Sequence, residues 1–460
     1  MDNVKARLLA WANQFDTAFY LDSNGDTDNP LGTYECLVAV SVLPTAPEPK
    51  PIPTLVYQSP SDNRNALPPQ PDTDIWAQLH RFWAEQGGWL FGYLGYDLKN
   101  DSEQLCSLHQ CSINLPDLYF VQPDIVLSCP RHATALEDIN VWYAPRYQTQ
   151  APPPADLLAY IKQYNPLQAP ISPATWAINL APRLAPDEYI AKVTALQTLI
   201  QEGDLYEVNF CQEFYAQQQP FALGADDICA LFAQLNQKAQ APMSAYIRLP
   251  NHRYVLCASP ERYLRKKDNR VWSQPIKGTI RRSTNPDEDR DLQQQLYNDP
   301  KERAENVMIV DLVRNDLTQS AVYGSVKVSE LFGVYAFRTV HHLVSTITAQ
   351  LRPDATFAHL LRHSFPMGSM TGAPKIRAMQ RIEQYETRRR GLFSGSIGYI
   401  TPQGDMDFNV VIRSLLHRAD TGYWSLQTGG AITAAAQAQT EYEESLLKAA
   451  AIRQLLAGDV

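Results

Sequence analysis

The chain has 460 residues, 45% of them apolar, and its 40 Lys and Arg face 49 Asp and Glu for a formal net charge of −9. That composition supports a large buried core, in about two to four domains or in one large α/β body. Net negative charge without basic patches interleaved with aromatics excludes nucleic acid as the main partner, and no uninterrupted apolar run of about 18 residues exists to span a membrane.

Residues 1–15 carry Asp2, Lys5 and Arg7 among apolar residues at helical spacing. This predicts a surface helix instead of a secretory leader, and hence a cytoplasmic protein. Strand patterns follow at 34–42, 89–93, 117–127 and 140–143, separated in part by Pro-rich stretches at 44–53 and 60–71. A longer Pro-rich zone, 145–182, holds Ala151-Pro152-Pro153-Pro154 and a short helical piece at 157–164. The expected organisation is a β-rich N-terminal region at 1–145, a connection at 146–185 and a C-terminal region at 186–457. Residues 187–202 predict a helix, with Tyr189, Ile190, Val193, Leu196, Leu199 and Ile200 at its apolar positions and Gly203 as its stop. Strands and helices then alternate, with long helices near 300–311, 375–385 and 441–456 and no repeat. The mixture predicts an α/β or α+β fold on large mixed sheets. Seven cysteines, an odd number without a C-x-x-C pair, point to a reducing compartment, no disulfide framework and thiols that pack as small hydrophobes.

Chemistry concentrates in the C-terminal region. A strand at 269–274 leads into Pro275-Ile276-Lys277-Gly278-Thr279. A strand lysine is ordinarily solvated. Held among Pro, Ile and Gly, this one would lose hydration, favour its neutral form and attack carbon, with Gly278 allowing close backbone approach. Glu302 and Glu305 lie three apart, as do Glu441 and Glu444, so each pair presents two carboxylates on one helix side. Alone such pairs read as solvated faces; facing each other they would make an oxygen site for Mg²⁺. The segment from Phe365 to Lys375 leads small and hydroxyl residues into a helix start, an anion-binding arrangement without the Walker pattern. Arg413, after a strand-like 408–412, needs an anion if buried. His342 alone reads as a hydrogen-bonded core histidine. Glu261, after an apolar strand at 254–258, reads as a cap, an ion-pair member or an acid/base group.

Together these pieces resemble the chorismate-utilising enzymes, the family of anthranilate synthase component I. The resemblance is carried by Gly203-Asp204-Leu205-Tyr206, Ser259-Pro260-Glu261-Arg262, 275–279, 301–305 and Asp311-Leu312-Val313-Arg314-Asn315-Asp316. His342-Leu343-Val344-Ser345, 365–375, Arg390-Gly391, Ile412-Arg413 and 441–448 continue it in order, over roughly 187–450. Leu21-Asp22-Ser23, Gly92-Tyr93-Leu94-Gly95-Tyr96-Asp97 and Pro116-Asp117-Leu118-Tyr119 match more loosely. Lys277, where anthranilate synthases have Ala, and Asn306, where they commonly have His, resemble the branch that aminates chorismate to 4-amino-4-deoxychorismate. Isochorismate and salicylate synthases carry a water-activating lysine in the segment matching 206–212; this chain has none there, and Glu207 stands where amine-adding members usually have Gln. Ala431, Ala434-Ala435-Ala436 and Phe393 also depart from the family pattern, without removing a nucleophile, acid, metal ligand or anion clamp.

The resemblance implies an α+β (mixed α/β) fold with a large two-sheet β-sandwich core wrapped by helices. It implies chorismate as substrate and Mg²⁺ as cofactor, held directly by Glu305 and Glu444 and through waters by Glu302 and Glu441. Arg413, with the backbone of Gly429 and Gly430, would hold the enolpyruvyl carboxylate; Gly278, Thr279 and Thr371 would line the ring site, with Lys448 also near substrate. Glu261 would protonate the departing hydroxyl, Lys277 would form a covalent adduct, and His342 would orient and polarise the hydroxyl side. Ammonia would come from a separate glutamine amidotransferase subunit in a heterodimer for p-aminobenzoate and folate biosynthesis. A tryptophan pocket would use Ser23, Tyr34, Pro242, Met243 and Ser244. Anthranilate synthase activity, or a non-catalytic chorismate- or tryptophan-binding regulator, are the alternatives.

Overall fold

Strand Thr17–Asp22 is apolar on both sides: Phe19 faces one core cluster, while Ala18 and Tyr20 face another. Leu90–Leu94 repeats the pattern, with Phe91 and Tyr93 on one side and Leu90 and Leu94 on the other. Sheets buried on both faces need a cover on each, and the computed structural model has four layers: helices, sheet, sheet, helices. It describes residues 2–25, 32–42, 51–59, 74–103, 105–164, 176–338 and 340–457. The Pro-rich stretches expected at 44–53 and 60–71 lie largely outside them.

The first sheet has eleven strands. Its order is Gly372–Ala373, Glu207–Gln217, Tyr423–Ile432, Ser414–Arg418, Arg253–Ser259, Met243–Leu249, Thr17–Asp22, Tyr34–Ser41, Ile125–Pro130 and Asn140–Tyr143, with Ala181–Pro182 beside Glu207–Gln217. The second has ten. It runs Ile276–Arg281, Val340–Gln350, Arg270–Gln274, Arg262–Lys267, Met406–Asn409, Ser396–Ile400, Leu90–Leu94, Leu118–Val121 and Thr54–Tyr57, with Lys327–Ala336 beside Val340–Gln350. Every pairing between these strands is antiparallel, so the mixed sheets expected from the alternation of elements do not form. Where a helix joins parallel strands of one sheet, as Ala225–Ala239 joins Glu207–Gln217 to Met243–Leu249, the two strands are not neighbours and antiparallel strands lie between them.

Phe19, Leu37, Ile247 and Val255 of the first sheet meet Phe91, Tyr93, Tyr119 and Ile397 of the second to form the sandwich centre. Strands from 1–145 enter both sheets: Thr17–Asp22 pairs with Met243–Leu249, and Leu90–Leu94 with Ser396–Ile400. The N-terminal region therefore shares its core with 186–457. Helix Asp2–Ala12 is more than a surface helix, because Leu8, Leu9 and Trp11 are buried against the outer face of the first sheet. Helix Pro154–Gln163 forms inside the Pro-rich connection, burying Leu157 and Ile161. Helices Pro186–Gln201, Pro300–Thr318, Lys375–Tyr385 and Ala438–Ala457 match the four expected from periodicity; Pro300–Thr318 continues a further seven residues beyond 311.

Candidate active site

Two crossings between the sheets build one wall of the site. The chain leaves the first sheet at Ser259 and enters the second at Arg262, which places Pro260-Glu261 in the passage. It returns after Asn409 and rejoins the first sheet at Ser414, which places Arg413 in the second passage. The strand expected over 408–412 thus stops early, because residues 410–413 are the crossing itself. Val410 N donates to Glu261 O at 3.0 Å and Ser259 Oγ donates to Val410 O at 2.6 Å, so the two crossings are bonded to each other. Arg413 adopts φ +52°, a left-handed conformation that costs a non-glycine residue energy and is found where a side chain must be aimed.

Strand Ile276–Arg281 forms the next wall. Its register against Val340–Gln350 shifts between Ile276 and Thr279, with Gly278 at φ +83° in the irregularity. Beyond the shift, Thr279 pairs with His342 and its Oγ1 lies 2.9 Å from His342 Nδ1. Gly429 and Gly430, at the end of strand Tyr423–Ile432, complete the wall between the helices and Arg413. A Cβ at Gly430 would stand 2.9 Å from Glu441 Oε2, so this glycine makes room for a carboxylate. The cavity between these walls measures about 590 Å³, opens to solvent and is lined by Glu261, Lys277, Gly278, Thr279, Glu302, Glu305, His342, Arg413, Gly429, Gly430, Glu441, Glu444 and Lys448.

Charge is arranged unevenly around it. Burial pushes the Glu261 carboxyl up to about 7, against the opposing pull of a Ser369 hydrogen bond and of Lys277. Burial beside Arg413 pushes His342 down to about 4, leaving a neutral imidazole. Burial also lowers Arg413, whose guanidinium makes no ion pair or hydrogen bond among the described residues and feels only the field of Glu444. Lys277 departs from expectation. Burial alone would favour its neutral amine, but Glu207 and Glu305 outweigh burial and hold its pKa above the ordinary lysine value. Its Nζ lies 3.1 Å from Glu207 Oε1 and 3.7 Å from Glu305 Oε2, so the resting side chain is an ammonium.

The four acidic residues face one cavity, so they are not two separate solvated helix faces. Glu305 and Glu441 are buried, and burial pushes Glu305 up to about 7 and raises Glu302 and Glu441. Burial acts on Glu444 too, but Lys448, at 2.6 Å, outweighs it and leaves that carboxyl below its usual value. Lys301 bridges the two helices, 3.5 Å from Glu441 and 3.9 Å from Glu305. Among the described residues no three His, Cys, Asp or Glu side chains close on one point; ammonium groups stand between the carboxylates. The donor set still suits a hard cation. All four groups are carboxylates on one cavity, and Glu305 Oε1 is buried without a hydrogen-bond donor, Lys301 being too distant.

Thr371 lies elsewhere. It is fully buried, its hydroxyl donates to the carbonyls of Met367 and Gly368, and Ser369 and Met370 take its expected place in the wall. Lys375, at the helix start where the sequence predicts an anion site, is engaged with Asp316 at 3.0 Å and Ser364 O at 3.1 Å. Ser23, Tyr34, Pro242, Met243 and Ser244 do come together, around a separate cavity of about 60 Å³. That is less than half of the ~150 Å³ that admits benzene in an engineered core, so an indole enters only if the walls move. Glu207 and Lys301 were not assigned a role by sequence. The i, i+4 spacing of Lys301 and Glu305 was a signal for the second; Glu207 gave none beyond its departure from the family pattern. All seven cysteines are free thiols. No described helix is long and apolar enough to cross a membrane.

Known proteins are similar to this chain over most of its length. Aminodeoxychorismate synthase component 1 of Escherichia coli K12 is 39% identical over 365 residues, covering 79% of this chain and 75% of that protein. The protein of the same name from Salmonella typhimurium LT2 is 37% identical over 456 residues, covering 96% and 93%. Among solved structures, anthranilate synthase component I from Streptococcus pneumoniae TIGR4 superposes with a TM-score of 0.67 at 28% identity, over 80% of each chain. The family described as chorismate binding enzyme matches residues 47–454, a span that contains every wall of the cavity. By that match, the chain belongs to the family of chorismate binding enzymes.

Proposed function

We propose that this chain aminates chorismate to 4-amino-4-deoxychorismate, the activity named for its aminodeoxychorismate synthase relatives, in p-aminobenzoate formation. The observation that carries the reading is Lys277 in the wall of a cavity that also holds Glu261 and an unpaired Arg413. Arg413 and the backbone of Gly429 and Gly430 bind the enolpyruvyl carboxylate, and Gly278 and Thr279 border the ring. Glu305 and Glu444 would ligate Mg²⁺ directly, with Glu302 and Glu441 acting through its waters. When bound, that ion supplies positive charge opposite the ring carboxylate. Glu261, protonated near neutral pH, gives its proton to the hydroxyl at ring carbon 4, which leaves as water. Lys277, once its proton has passed to a neighbouring carboxylate, attacks ring carbon 2 while both ring double bonds shift and the bond from carbon 4 to the departing oxygen breaks. Ammonia then attacks carbon 4, both double bonds shift back, the carbon–nitrogen bond to Lys277 breaks, and the added nitrogen gives up a proton. Neutral His342, fixed by Thr279, orients the hydroxyl.

The name component 1 carried by the relatives supports a partner component; we assign it as a glutamine amidotransferase that delivers ammonia. L-Tryptophan binding at the 60 Å³ cavity would require Tyr34 or its neighbours to shift. A cytoplasmic location accords with the free thiols. The test is incubation with chorismate, Mg²⁺ and ammonium, with and without the lyase that releases p-aminobenzoate. We expect lyase-dependent p-aminobenzoate, and an intact-mass adduct on Lys277 in rapidly quenched samples lacking ammonia. Fluorescent anthranilate as the main product would place the chain in the other branch, and binding without turnover would make it a regulator.

A further inference from the structure

Glu207 does not line the cavity; it stands behind it. Its side chain is 1% exposed. Oε1 accepts from Lys277 Nζ at 3.1 Å, and Oε2 is buried without any hydrogen-bond partner. The same ammonium lies 3.7 Å from Glu305 Oε2, so one buried cation sits between two buried carboxylates, nearer the one outside the cavity. Glu207 cannot follow Lys277 toward the cavity, because its strand is pinned on both sides: Ala373 pairs with Glu207, while Gly372 and Ile432 both pair with Val208.

We propose that Glu207 is a positioning residue that holds Lys277 off Glu305, keeping Glu305 available to a divalent cation and fixing where the amine begins its approach to substrate. This rests on the assignment of Glu305 as a Mg²⁺ ligand. Without the Glu207 charge, the carboxylate left within ion-pair reach of Lys277 is Glu305. A buried ammonium would close that gap, since an unpaired charge at this depth is costly. An ammonium drawn onto Glu305 and a divalent cation on the same carboxylate repel each other, so tightening one contact weakens the other. Glu207 thereby separates two jobs that a shared carboxylate would confuse: nucleophile placement and metal retention.

The isosteric substitution Glu207→Gln keeps an acceptor for Lys277 and removes the charge. Titrating Mg²⁺ calorimetrically into the full chain, we expect Glu207→Gln to raise Kd about tenfold, the scale of one partly screened ion-pair contact. In a Lys277→Ala background the same substitution should change Kd less than about twofold, since the effect travels through the lysine. A crystal structure of Glu207→Gln should have Lys277 Nζ within hydrogen-bond distance of Glu305, a readout that does not depend on the Lys277→Ala variant folding. Nζ left in place, or an equal loss of Mg²⁺ affinity in both backgrounds, overturns the proposal; the second outcome means that Glu207 acts on the ion directly. Glu305→Gln separates the two layers of the argument. If it leaves Mg²⁺ affinity unchanged, the metal assignment itself is wrong and this inference falls with it. If it weakens Mg²⁺ binding while Glu207→Gln does not, only the positioning role is wrong.

Discussion

Glu261 and Lys277 are both buried, and burial pushes their charge in opposite directions. Glu261 ends near neutrality because its desolvation outweighs the Ser369 hydrogen bond and the charge of Lys277. Lys277 stays an ammonium because Glu207, 70 residues earlier, and Glu305 both reach it. The segment Pro275 to Thr279 predicts a neutral amine, and the structure overturns that charge state because neither counter-charge is a sequence neighbour. Glu261 is likewise governed by tertiary burial and by Ser369 and Lys277, and Ser259-Pro260-Glu261-Arg262 by itself reads only as a cap, an ion-pair member or an acid/base group. In the proposed role of general acid it would work in the protonated form, so turnover at fixed free ammonia should decline as pH rises through about 7. Glu261→Gln has no proton to give: we expect chorismate affinity near normal by calorimetry and turnover lower by about two to four orders of magnitude, with that alkaline limb gone. Turnover within a few fold of the parent would assign the proton to another group.

At the scale of elements, the two E-x-x-E helices were visible as periodic segments, but not the relation between them. Their carboxylates face one cavity because Pro300–Thr318 lies over strands Ile276–Arg281 and Val340–Gln350 while Ala438–Ala457 lies over Tyr423–Ile432. That is tertiary information. Glu305→Gln and Glu444→Gln should weaken activation by Mg²⁺ strongly, and Glu302→Gln and Glu441→Gln mildly, because losing a charged ligand costs more than losing a hydrogen bond to a coordinated water. Gly430→Ala tests the same arrangement from the strand: its Cβ, 2.9 Å from Glu441 Oε2, must displace that carboxylate. We expect Gly430→Ala to resemble Glu441→Gln in its Mg²⁺ activation curve, with thermal unfolding changed by only a few degrees; small and equal effects in all five variants would leave the helices without a metal role. The crossing at 410–413 was hidden for a different reason. Val410, Val411 and Ile412 continue the apolar composition of a strand, and composition does not record a change of sheet.

Over the whole molecule, the Pro-rich seams suggested separable halves, whereas strands from both halves interleave. Thr17–Asp22 sits between Met243–Leu249 and Tyr34–Ser41, and the sandwich centre draws residues from either side of the connection. Proline marks where the chain leaves regular structure, not where a core ends. The full chain should therefore unfold in one cooperative calorimetric transition, and residues 186–457 alone should not reproduce it, because their removal from Thr17–Asp22 and Leu90–Leu94 uncovers two apolar strand edges. Two resolved transitions in the full chain, one recovered in the fragment, would establish separate units. The bonded pair of crossings carries the same unity into the chemistry. Val410 ties the backbone of Glu261 to the passage that ends in Arg413, so the spacing between the proposed proton donor and the proposed carboxylate clamp is set by how one sheet lies on the other. The active site works as a vernier between two rulers: a slip too small to unfold the sandwich would still be read at Glu261 and Arg413 as a change in where the substrate meets its proton.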